Sequence, residues 1–320
     1  MNRRIVPAIM VIALAFSSCR ESGTVSGSTP PASTAGAFVV NEGSFSGGGS
    51  LSYYDEERDT MFNDVIGSGA DWIFPNDLNI VGGRGYVAVN GSDRIDVINL
   101  SSNRIVKSIH SPQFSGPGYL AAGGSRVYVA NYDGTLSVIT TADDSLRATS
   151  AHVVTFPGGI AALDGKVFVS DYGTYVANQF VPGRYLKAIN PVTLQVTDSV
   201  SLGASPGSMT ILNGKLFVVC SGTQTSPPRL YQVDPVAVRA EDSLQLSGSV
   251  SDIATDGRSL FVLAAAGVGK FAMQPLRTIR NPFISRTGGL YYYALAADGS
   301  TGDIYVTNVV SAGGSGRLEI

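Results

Sequence analysis

The chain has 320 residues, with 22 Lys or Arg and 25 Asp or Glu, so its formal net charge at pH 7 is −3. This mildly acidic balance, without a basic run, argues against nucleic-acid binding, because phosphate neutralisation needs clustered Lys and Arg. Two Cys and two His exclude zinc-finger, iron–sulfur and multi-histidine copper sites built by this chain alone.

Residues 1–18 have the pattern of a signal peptide. The segment Asn2-Arg3-Arg4 is basic, and residues 5–16 are apolar. That apolar stretch is shorter than the roughly 20 residues that a membrane-spanning helix needs. The pattern therefore predicts a secretory signal rather than a transmembrane anchor.

The segment Phe16-Ser17-Ser18-Cys19 resembles a bacterial lipobox, although Leu is commoner than Phe at the first position. The resemblance implies that the thiol of Cys19 is acylated and that Cys19 becomes the mature N-terminus. An ordinary secreted protein is the alternative. Arg20 stands where an Asp would mark retention in the inner membrane. The resemblance therefore implies an outer-membrane lipoprotein, facing either the periplasm or the cell surface.

Residues 19–36 begin with the acylated Cys and continue as a stretch rich in Ser, Thr, Gly and Pro. With almost no apolar side chain, this stretch cannot bury enough surface to fold. We expect it to be a flexible tether. Residues 37–320 are predicted to be the folded domain.

Seven β-rich runs recur along the domain, and each contains one aromatic residue. The spacing between these aromatic residues is 40 to 49 residues. Short strands at such a period are typical of β-propeller blades, so the sequence predicts an all-β, seven-bladed propeller of four-stranded antiparallel blades. The aromatic residues are Phe38, Tyr86, Tyr128, Phe168, Phe217, Phe261 and Tyr305.

Four strands, A to D, can be traced within a unit. The B strand is almost continuously apolar, as expected for a strand that is covered on both faces. The C strand alternates apolar and polar residues. The predicted strands are 77–81, 85–90, 94–100 and 104–110 in the second unit, and 119–122, 127–131, 135–140 and 148–154 in the third.

The connections differ between the two faces of the predicted ring. The A–B turns contain Asp-Gly or Asn-Gly pairs, which favour two-residue hairpins, and the C–D turns are also short. The B–C and D–A connections are longer and share the opposite face. We call the two sides the short-turn face and the long-loop face. Binding residues tend to lie on loops held by a rigid scaffold, so the long-loop face is the predicted binding face. Its longer loops are 69–76, 111–118, 171–184 and 221–229.

The two ends of the domain each contain an incomplete unit. The chain starts with strands B, C and D of blade 1 and ends with strands A, B and C of blade 7. A complete ring would need further residues after Ile320, so we expect a truncated chain. A natural ring with two short blades is the alternative. Either arrangement leaves unpaired strand edges where blades 7 and 1 meet.

The motifs VYVANYDGTLSVI (127–139) and DIYVTN (303–308) resemble the YVTN-type bacterial β-propeller family. The opening VVNEGSFSGGGSLSYYDEERDTMFNDV (39–65) resembles a group of envelope lipoproteins that includes the BtuG-type corrinoid-binding surface lipoproteins. The resemblance covers residues 37–320. It implies a propeller and, for the ligand, a corrinoid. The matched residues are scaffold strands and turns, so no binding residue is carried over.

Sequence features that could indicate an enzyme, a redox site or a metal site are better explained structurally. The G-x-S-x-G pattern at residues 203–207 has Pro206 after its Ser, and Pro lacks the N–H that an oxyanion hole needs. His110 and His152 lie near D-strand ends, far from any nucleophile in sequence. Cys220 is predicted to be a buried apolar filler. The Gly-containing turns at 131–134 and 298–303 carry oxygen ligands, but calcium needs about six to eight of them and neither turn matches a complete EF-hand loop. We therefore predict no enzyme activity, no cofactor and no metal.

The residues that follow the B strands are predicted to surround one mouth of the central channel. Amide, carboxylate and aromatic groups there suit a large planar or polyamide ligand. The alternative is that they close turns and pack beneath loops. We expect a lipoprotein that captures a ligand on this face, with a protein–protein scaffold as the alternative and a propeller enzyme such as a lactonase less favoured. The candidate ligand-binding residues are Trp72, Asn90, Asn131, Tyr132, Asp171, Tyr172, Tyr175 and Asn308.

Overall fold

A computed structural model describes residues 9–13, 25–26, 35–44, 46–67, 69–286, 291–309 and 316–320. These residues form a seven-bladed β-propeller, as predicted, with one sheet for each blade. The one helix among them is a 3-10 turn, Asn90–Ser92. Cys19 and most of the predicted tether lie outside the described residues.

The centre of blade 1 is an antiparallel meander, and one short strand pairs in parallel with each of its two edges. The meander consists of β3 (Gly36–Asn41), β4 (Ser50–Asp55) and β5 (Thr60–Gly67). In parallel pairing, β1 (Ile9–Ala13) lies beside β3 and β2 (Val25–Ser26) lies beside β5. The assignment of residues 1–18 as a signal peptide stays a prediction.

Blades 2 to 6 are four-stranded antiparallel sheets whose strands run in chain order. Blade 7 has three strands within the described residues, as expected from the sequence. Blade 2 consists of β6 (Pro75–Val81), β7 (Arg84–Val89), β8 (Arg94–Asn99) and β9 (Arg104–His110), and blade 3 consists of β10 (Pro117–Gly123), β11 (Arg126–Asn131), β12 (Leu136–Thr140) and β13 (Ser145–Thr149). Blade 4 consists of β14 (Pro157–Leu163), β15 (Lys166–Val176), β16 (Gln179–Ile189) and β17 (Val196–Ser201), and blade 5 consists of β18 (Pro206–Leu212), β19 (Lys215–Cys220), β20 (Arg229–Asp234) and β21 (Arg239–Gln245). Blade 6 consists of β22 (Val250–Thr255), β23 (Leu260–Ala264), β24 (Gly267–Met273) and β25 (Leu276–Ser285), and blade 7 consists of β26 (Tyr291–Ala297), β27 (Ile304–Val309) and β28 (Gly316–Glu319).

The hydrophobic core lies between neighbouring blades. All seven repeated aromatic residues of the B strands are buried. Phe217 of blade 5, for example, packs in one cluster with Leu260 and Phe271 of blade 6. Burying such a side chain contributes about 1.5–3 kcal/mol, so the seven repeats bind each blade to its neighbours.

A second repeated contact joins the blades on the short-turn face. A basic residue stands two positions before the B-strand aromatic in blades 2 to 4, and its side chain reaches the C–D turn of the next blade. Tyr86 adds a hydrogen bond of 2.5 Å to Asp144 Oδ1 in one of these contacts. The basic contacts are the ion pair of Arg84 with Asp144, the bond of 2.6 Å from Arg126 Nη1 to Pro191 O, and the bond of 2.9 Å from Lys166 Nζ to Pro235 O.

The predicted loop at residues 171–184 is wrong, because β15 and β16 continue through it as a two-stranded ribbon. The ribbon turns at Ala177 and Asn178, whose positive φ values of 48° and 63° suit a two-residue hairpin. Its first strand is rich in residues that favour strands, such as Tyr175 and Val176. Residues 173–182 extend beyond the ends of β14 and β17, so the ribbon projects from the long-loop face.

Candidate functional site at the channel mouth

The first strands of blades 2 to 7 are the innermost, because they contact one another in succession around the channel. These strands begin, and the B strands end, at the long-loop face. The first residues of β6, β10 and β26 therefore meet the residues that follow β3 and β11 around the channel. A register shift follows the start of each of these innermost strands. The bulge turns the early side chains of the innermost strand towards their neighbours.

Glu42, immediately after β3, and Tyr293, in β26, form one contact of this mouth. The hydroxyl of Tyr293 donates to Glu42 Oε1 at 3.2 Å. Only 9% of Glu42 is exposed. Burial raises the pKa of Glu42 to about 7, and the Tyr293 hydrogen bond offsets part of that rise. At neutral pH the carboxyl group is therefore partly protonated and can both donate and accept hydrogen bonds.

Tyr132, immediately after β11, is the centre of an aromatic group that we call the mouth stack, formed with Tyr119 and Phe156. Its ring stacks on Phe156 with centroids 4.8 Å apart, and it meets Tyr119 edge-on at 5.8 Å. The amide of Asn76 donates to the Tyr132 hydroxyl at 2.9 Å. Burial raises the pKa of Tyr132 to about 12, and the negative charge of Glu42 adds to this effect. Glu42 and the mouth stack therefore share one electrostatic environment.

Two further carboxyl groups at this end of the channel hold the scaffold together. Asp77 Oδ2 accepts from the backbone N–H of Leu120 in the next blade at 2.7 Å. Asp252 Oδ2 accepts from the N–H of Leu295 in the next blade at 3.0 Å, and its Oδ1 accepts from Ser208 at 2.6 Å. Burial raises the pKa of both groups, that of Asp77 to about 7. Each Asp thus joins the innermost strands of adjacent blades.

The ribbon carries a second group of aromatic side chains next to the mouth stack. We call residues 172–182 the aromatic hairpin. The backbone N–H of Tyr172 donates to Phe156 O at 2.9 Å. The ring of Tyr172 lies 5.7 Å from that of Phe180, which in turn lies 5.4 Å from that of Tyr175. Two groups of three aromatic rings, the mouth stack and the rings of the hairpin, are therefore joined through the backbone of Phe156 and Tyr172.

Three of the residues predicted from the sequence belong to this surface: Tyr132, Tyr172 and Tyr175. Three others make hydrogen bonds within or beside their own blades. The side-chain amide of Asn131 donates to Thr135, that of Asn308 donates to Glu319, and the carboxylate of Asp171 accepts from the Thr155 backbone N–H.

The remaining two predicted residues are packed into the scaffold. Trp72 is 2% exposed in the cluster between blades 1 and 2, and its indole Nε1 has no hydrogen-bond partner among the described residues. Asn90 begins the 3-10 turn, and its backbone N–H donates to Phe74 O at 3.0 Å. Neither forms part of the mouth stack or of the aromatic hairpin.

Six residues of this surface lie outside the predicted set. Glu42 follows a B strand and Phe180 lies in a predicted long loop, as the predicted residues do. The other four are Asn76, Tyr119, Phe156 and Tyr293. They precede or open the innermost strands, which begin with Pro in blades 2 to 5. Aligning the sequence on this repeated Pro would have brought Asn76 and Phe156 next to it. Tyr293 has no such marker, because blade 7 lacks the Pro.

The other chemically reactive residues singled out from the sequence are Ser205, Cys220, His110 and His152. Ser205 is buried in the bend at residues 203–205, a D–A connection as predicted, and β18 begins at Pro206. Cys220 is buried, and burial raises the pKa of its thiol to about 12. His110 and His152 are exposed. Within the described part of the chain, no group of three or more His, Cys, Asp or Glu is arranged to hold a metal ion. That part also has no helix of the length and hydropathy needed to cross a membrane.

No protein-family model matches the chain, and no curated protein matches it. Solved structures do resemble it. They include the hydrazine synthase of Kuenenia stuttgartiensis, at 13% identity and TM-score 0.60 over 74% of this chain and 73% of that one. A chain of the mitotic checkpoint complex matches at 6% identity and TM-score 0.65 over 84% and 80%. The Neurospora crassa Pan2 WD40 domain matches at 10% identity and TM-score 0.60 over 80% and 78%.

At these identities the resemblance concerns the fold alone. The three proteins have different functions by their descriptions, so the shared propeller does not identify a ligand. The function of this chain must be argued from its own channel mouth.

Proposed function

We propose that the chain is a ligand-binding module of the cell envelope, anchored by a lipid on Cys19, that captures a large small molecule at the channel mouth. The ligand class that we propose is the corrinoids, flat macrocycles with amide groups at their edges. The observation that carries the proposal is the position of the mouth stack beside the hydrogen-bonded pair of Glu42 and Tyr293.

The mouth offers two kinds of contact that such a ligand needs. The stacked rings of Tyr132 and Phe156 provide flat apolar surface. The carboxyl group of Glu42 and the hydroxyl of Tyr293 provide donors and acceptors for amide groups. Capture of this kind needs shape and hydrogen bonds, without making or breaking a covalent bond.

The charge of the mouth favours a neutral ligand over an anionic one. The charged groups that act on the pKa of Tyr132, Tyr119 and Tyr293 are all carboxyl or phenol groups of the described chain. An anion would be repelled by these groups once they ionise. An amide edge carries no net charge and avoids this repulsion.

The experiment is a calorimetric titration of the full-length lipidated protein, in detergent, with cyanocobalamin. We expect saturable binding to the wild-type protein and at least about tenfold weaker binding to Tyr132→Ala, because the change removes stacking and a hydrogen bond together. Tyr132→Phe keeps the ring and should lose less affinity.

Tyr54→Phe is the matched control for Tyr132→Phe, because it keeps the ring of Tyr54 and removes only a hydroxyl that bonds to Asp59 in the exposed β4–β5 turn of the short-turn face. This variant should bind like the wild-type protein. A wild-type protein that unfolds cooperatively but shows no saturable binding would refute the corrinoid proposal.

A protein–protein scaffold in the envelope is the second candidate, favoured by the exposed aromatic side chains of the hairpin. Pull-down from envelope extracts tests it. A stable partner that is lost with Tyr172→Ala, in a protein that binds no cyanocobalamin, would support the scaffold over ligand capture.

A further inference from the structure

We propose that the aromatic hairpin is a second stacking subsite, which holds a ring of the ligand separate from the ring system held at the mouth stack. This inference rests on the proposed function. It adds a requirement on ligand chemistry: the ligand carries two flat ring systems joined by a polar connection.

The strand pairing places the aromatic side chains of the hairpin on one side. Tyr175 pairs directly with Phe180 across the ribbon, and Gly173 pairs with Pro182. Side chains of directly paired residues point to the same face of a two-stranded ribbon. The ring contact of Tyr172 with Phe180 extends this face towards the blade.

The aromatic side chains are unusually exposed for their size. Tyr175 is 74% exposed and Phe180 is 38% exposed. Large aromatic residues grouped at the surface mark interaction sites in soluble domains, since leaving them in water forgoes the free energy of burial. The exposed group therefore indicates an occupant rather than a packing role within the blade.

The occupant that we assign is the ligand of the mouth, because the hairpin begins beside the mouth stack. The hydrogen bond from Tyr172 N to Phe156 O joins the base of the hairpin to the mouth stack. A molecule seated on Tyr132 and Phe156 therefore lies next to the base of the hairpin.

The direction of the ribbon is fixed by glycine at its base. Gly173 has a φ of +135°, and a Cβ there would lie 2.9 Å from the ring of Phe180. A Cβ on Gly183 would collide with the carbonyl oxygen of Asp171. Both positions therefore need glycine for the aromatic face to hold its place. A pre-formed face lowers the ordering cost of binding.

The composition of the hairpin indicates a neutral ring. Residues 172–182 contain no charged side chain. Surfaces that stack the bases of nucleic acids combine aromatic rings with a positively charged groove for the phosphates. Without such charge, stacking here suits an uncharged heterocycle better than a polynucleotide.

The experiment compares two probes and three proteins by calorimetry. Cyanocobalamin carries the corrin macrocycle and a separate benzimidazole ring, whereas cobinamide carries the macrocycle without that ring. The test variant is Tyr175→Ala/Phe180→Ala. The matched control is Val176→Thr/Val181→Thr, which changes two exposed apolar side chains at other positions of the same ribbon.

We expect the test variant to bind cyanocobalamin at least about tenfold more weakly than the wild-type protein, since stacking on one aromatic contributes about that factor. Cobinamide should bind both proteins with equal affinity. The control variant should bind both probes like the wild-type protein.

The outcomes separate this inference from the proposed function. Wild-type binding of cyanocobalamin that is unchanged in the test variant overturns the hairpin subsite and leaves the proposed function standing. An equal loss for both probes also overturns it, because the hairpin would then act on the macrocycle or on the whole fold. No binding of cyanocobalamin to the wild-type protein overturns both proposals. A protein partner that is lost with the test variant, while probe binding is unchanged, would assign the hairpin to protein docking and overturn the subsite.

Discussion

The hydroxyl of Tyr293 lies 3.2 Å from Glu42 Oε1, although the two residues are 251 positions apart in the chain. Glu42 follows the first strand of the blade 1 meander, and Tyr293 lies in the first strand of blade 7. Their hydrogen bond therefore crosses the junction between the first and last blades and lines the channel mouth at the same time. The pair therefore contributes both to the candidate site and to the junction of blades 7 and 1, which a hydrophobic cluster also holds.

The first prediction concerns the pH dependence of stability through Glu42. Its pKa is about 7 in the folded chain, against an ordinary value of 4.5. Between these pH values the folded chain keeps a proton that the unfolded chain releases. The free energy of unfolding therefore falls as pH rises from about 4.5 to 7, by a total of about 3 kcal/mol.

Glu42→Gln removes this contribution, because the amide does not titrate. We expect the variant to lose less stability than the wild-type protein between pH 5 and pH 8, measured by denaturant unfolding at both values. Asp77, whose pKa is also raised to about 7, contributes equally in both proteins. Parallel pH profiles for the two proteins would contradict the placement of Glu42.

The second prediction concerns the contact between blades 2 and 3 on the short-turn face. Tyr86→Phe removes the hydroxyl that donates to Asp144. We expect the free energy of unfolding to fall by about 1.5–3 kcal/mol, because the bond is buried and its acceptor is charged. Tyr54→Phe loses only an exposed bond to Asp59 and should change stability by less than about 0.5 kcal/mol. Equal effects of the two changes would count against the contact.

The third prediction tests packing between blades. Phe217 is 0% exposed, and Phe217→Ala should lower the free energy of unfolding by about 3–5 kcal/mol through lost burial and a cavity. Val192→Ala, at an exposed position of the β16–β17 turn, is the control and should be nearly neutral. Chemical denaturation of both variants measures the difference. A loss below about 1 kcal/mol for Phe217→Ala would mean that blades 5 and 6 are not packed through this side chain.

The fourth prediction concerns the membrane anchor. If the thiol of Cys19 is acylated, Cys19→Ser should abolish incorporation of labelled palmitate and release the protein from the membrane fraction. Cys220→Ser should leave labelling unchanged, because Cys220 is buried within blade 5. Labelling that persists in Cys19→Ser would refute the lipidation assignment.

Most of the fold could be predicted from the sequence repeat. Aromatic residues such as Phe168 recur because the B strand of every blade packs its side chains against the neighbouring blades. A pattern that is local in sequence therefore predicts the arrangement of the whole ring. The difference between the short-turn face and the long-loop face was predicted from residue pairs typical of tight turns, such as Asn213-Gly214. Both signals are local in sequence, and both were confirmed.

The channel mouth was predictable only in part, because its contacts join distant blades. Tyr132 follows a B strand and was found from the repeat, but its partners Asn76 and Phe156 come from other units. The side chain of Asn131, one residue earlier, points back into its own blade and bonds to Thr135. Adjacent residues of a strand face opposite ways, and a spacing argument without a register cannot separate them.

The most direct test of ligand capture at the channel mouth is hydrogen–deuterium exchange of the full-length protein with and without saturating cyanocobalamin. We expect slowed exchange at the channel mouth and the aromatic hairpin, in segments 42–44, 76–78, 131–133, 172–182 and 293–295. Exchange at the short turns 164–165, 213–214 and 256–257 should be unchanged. Protection confined to the short-turn face, with the mouth unaffected, would contradict ligand capture at this site.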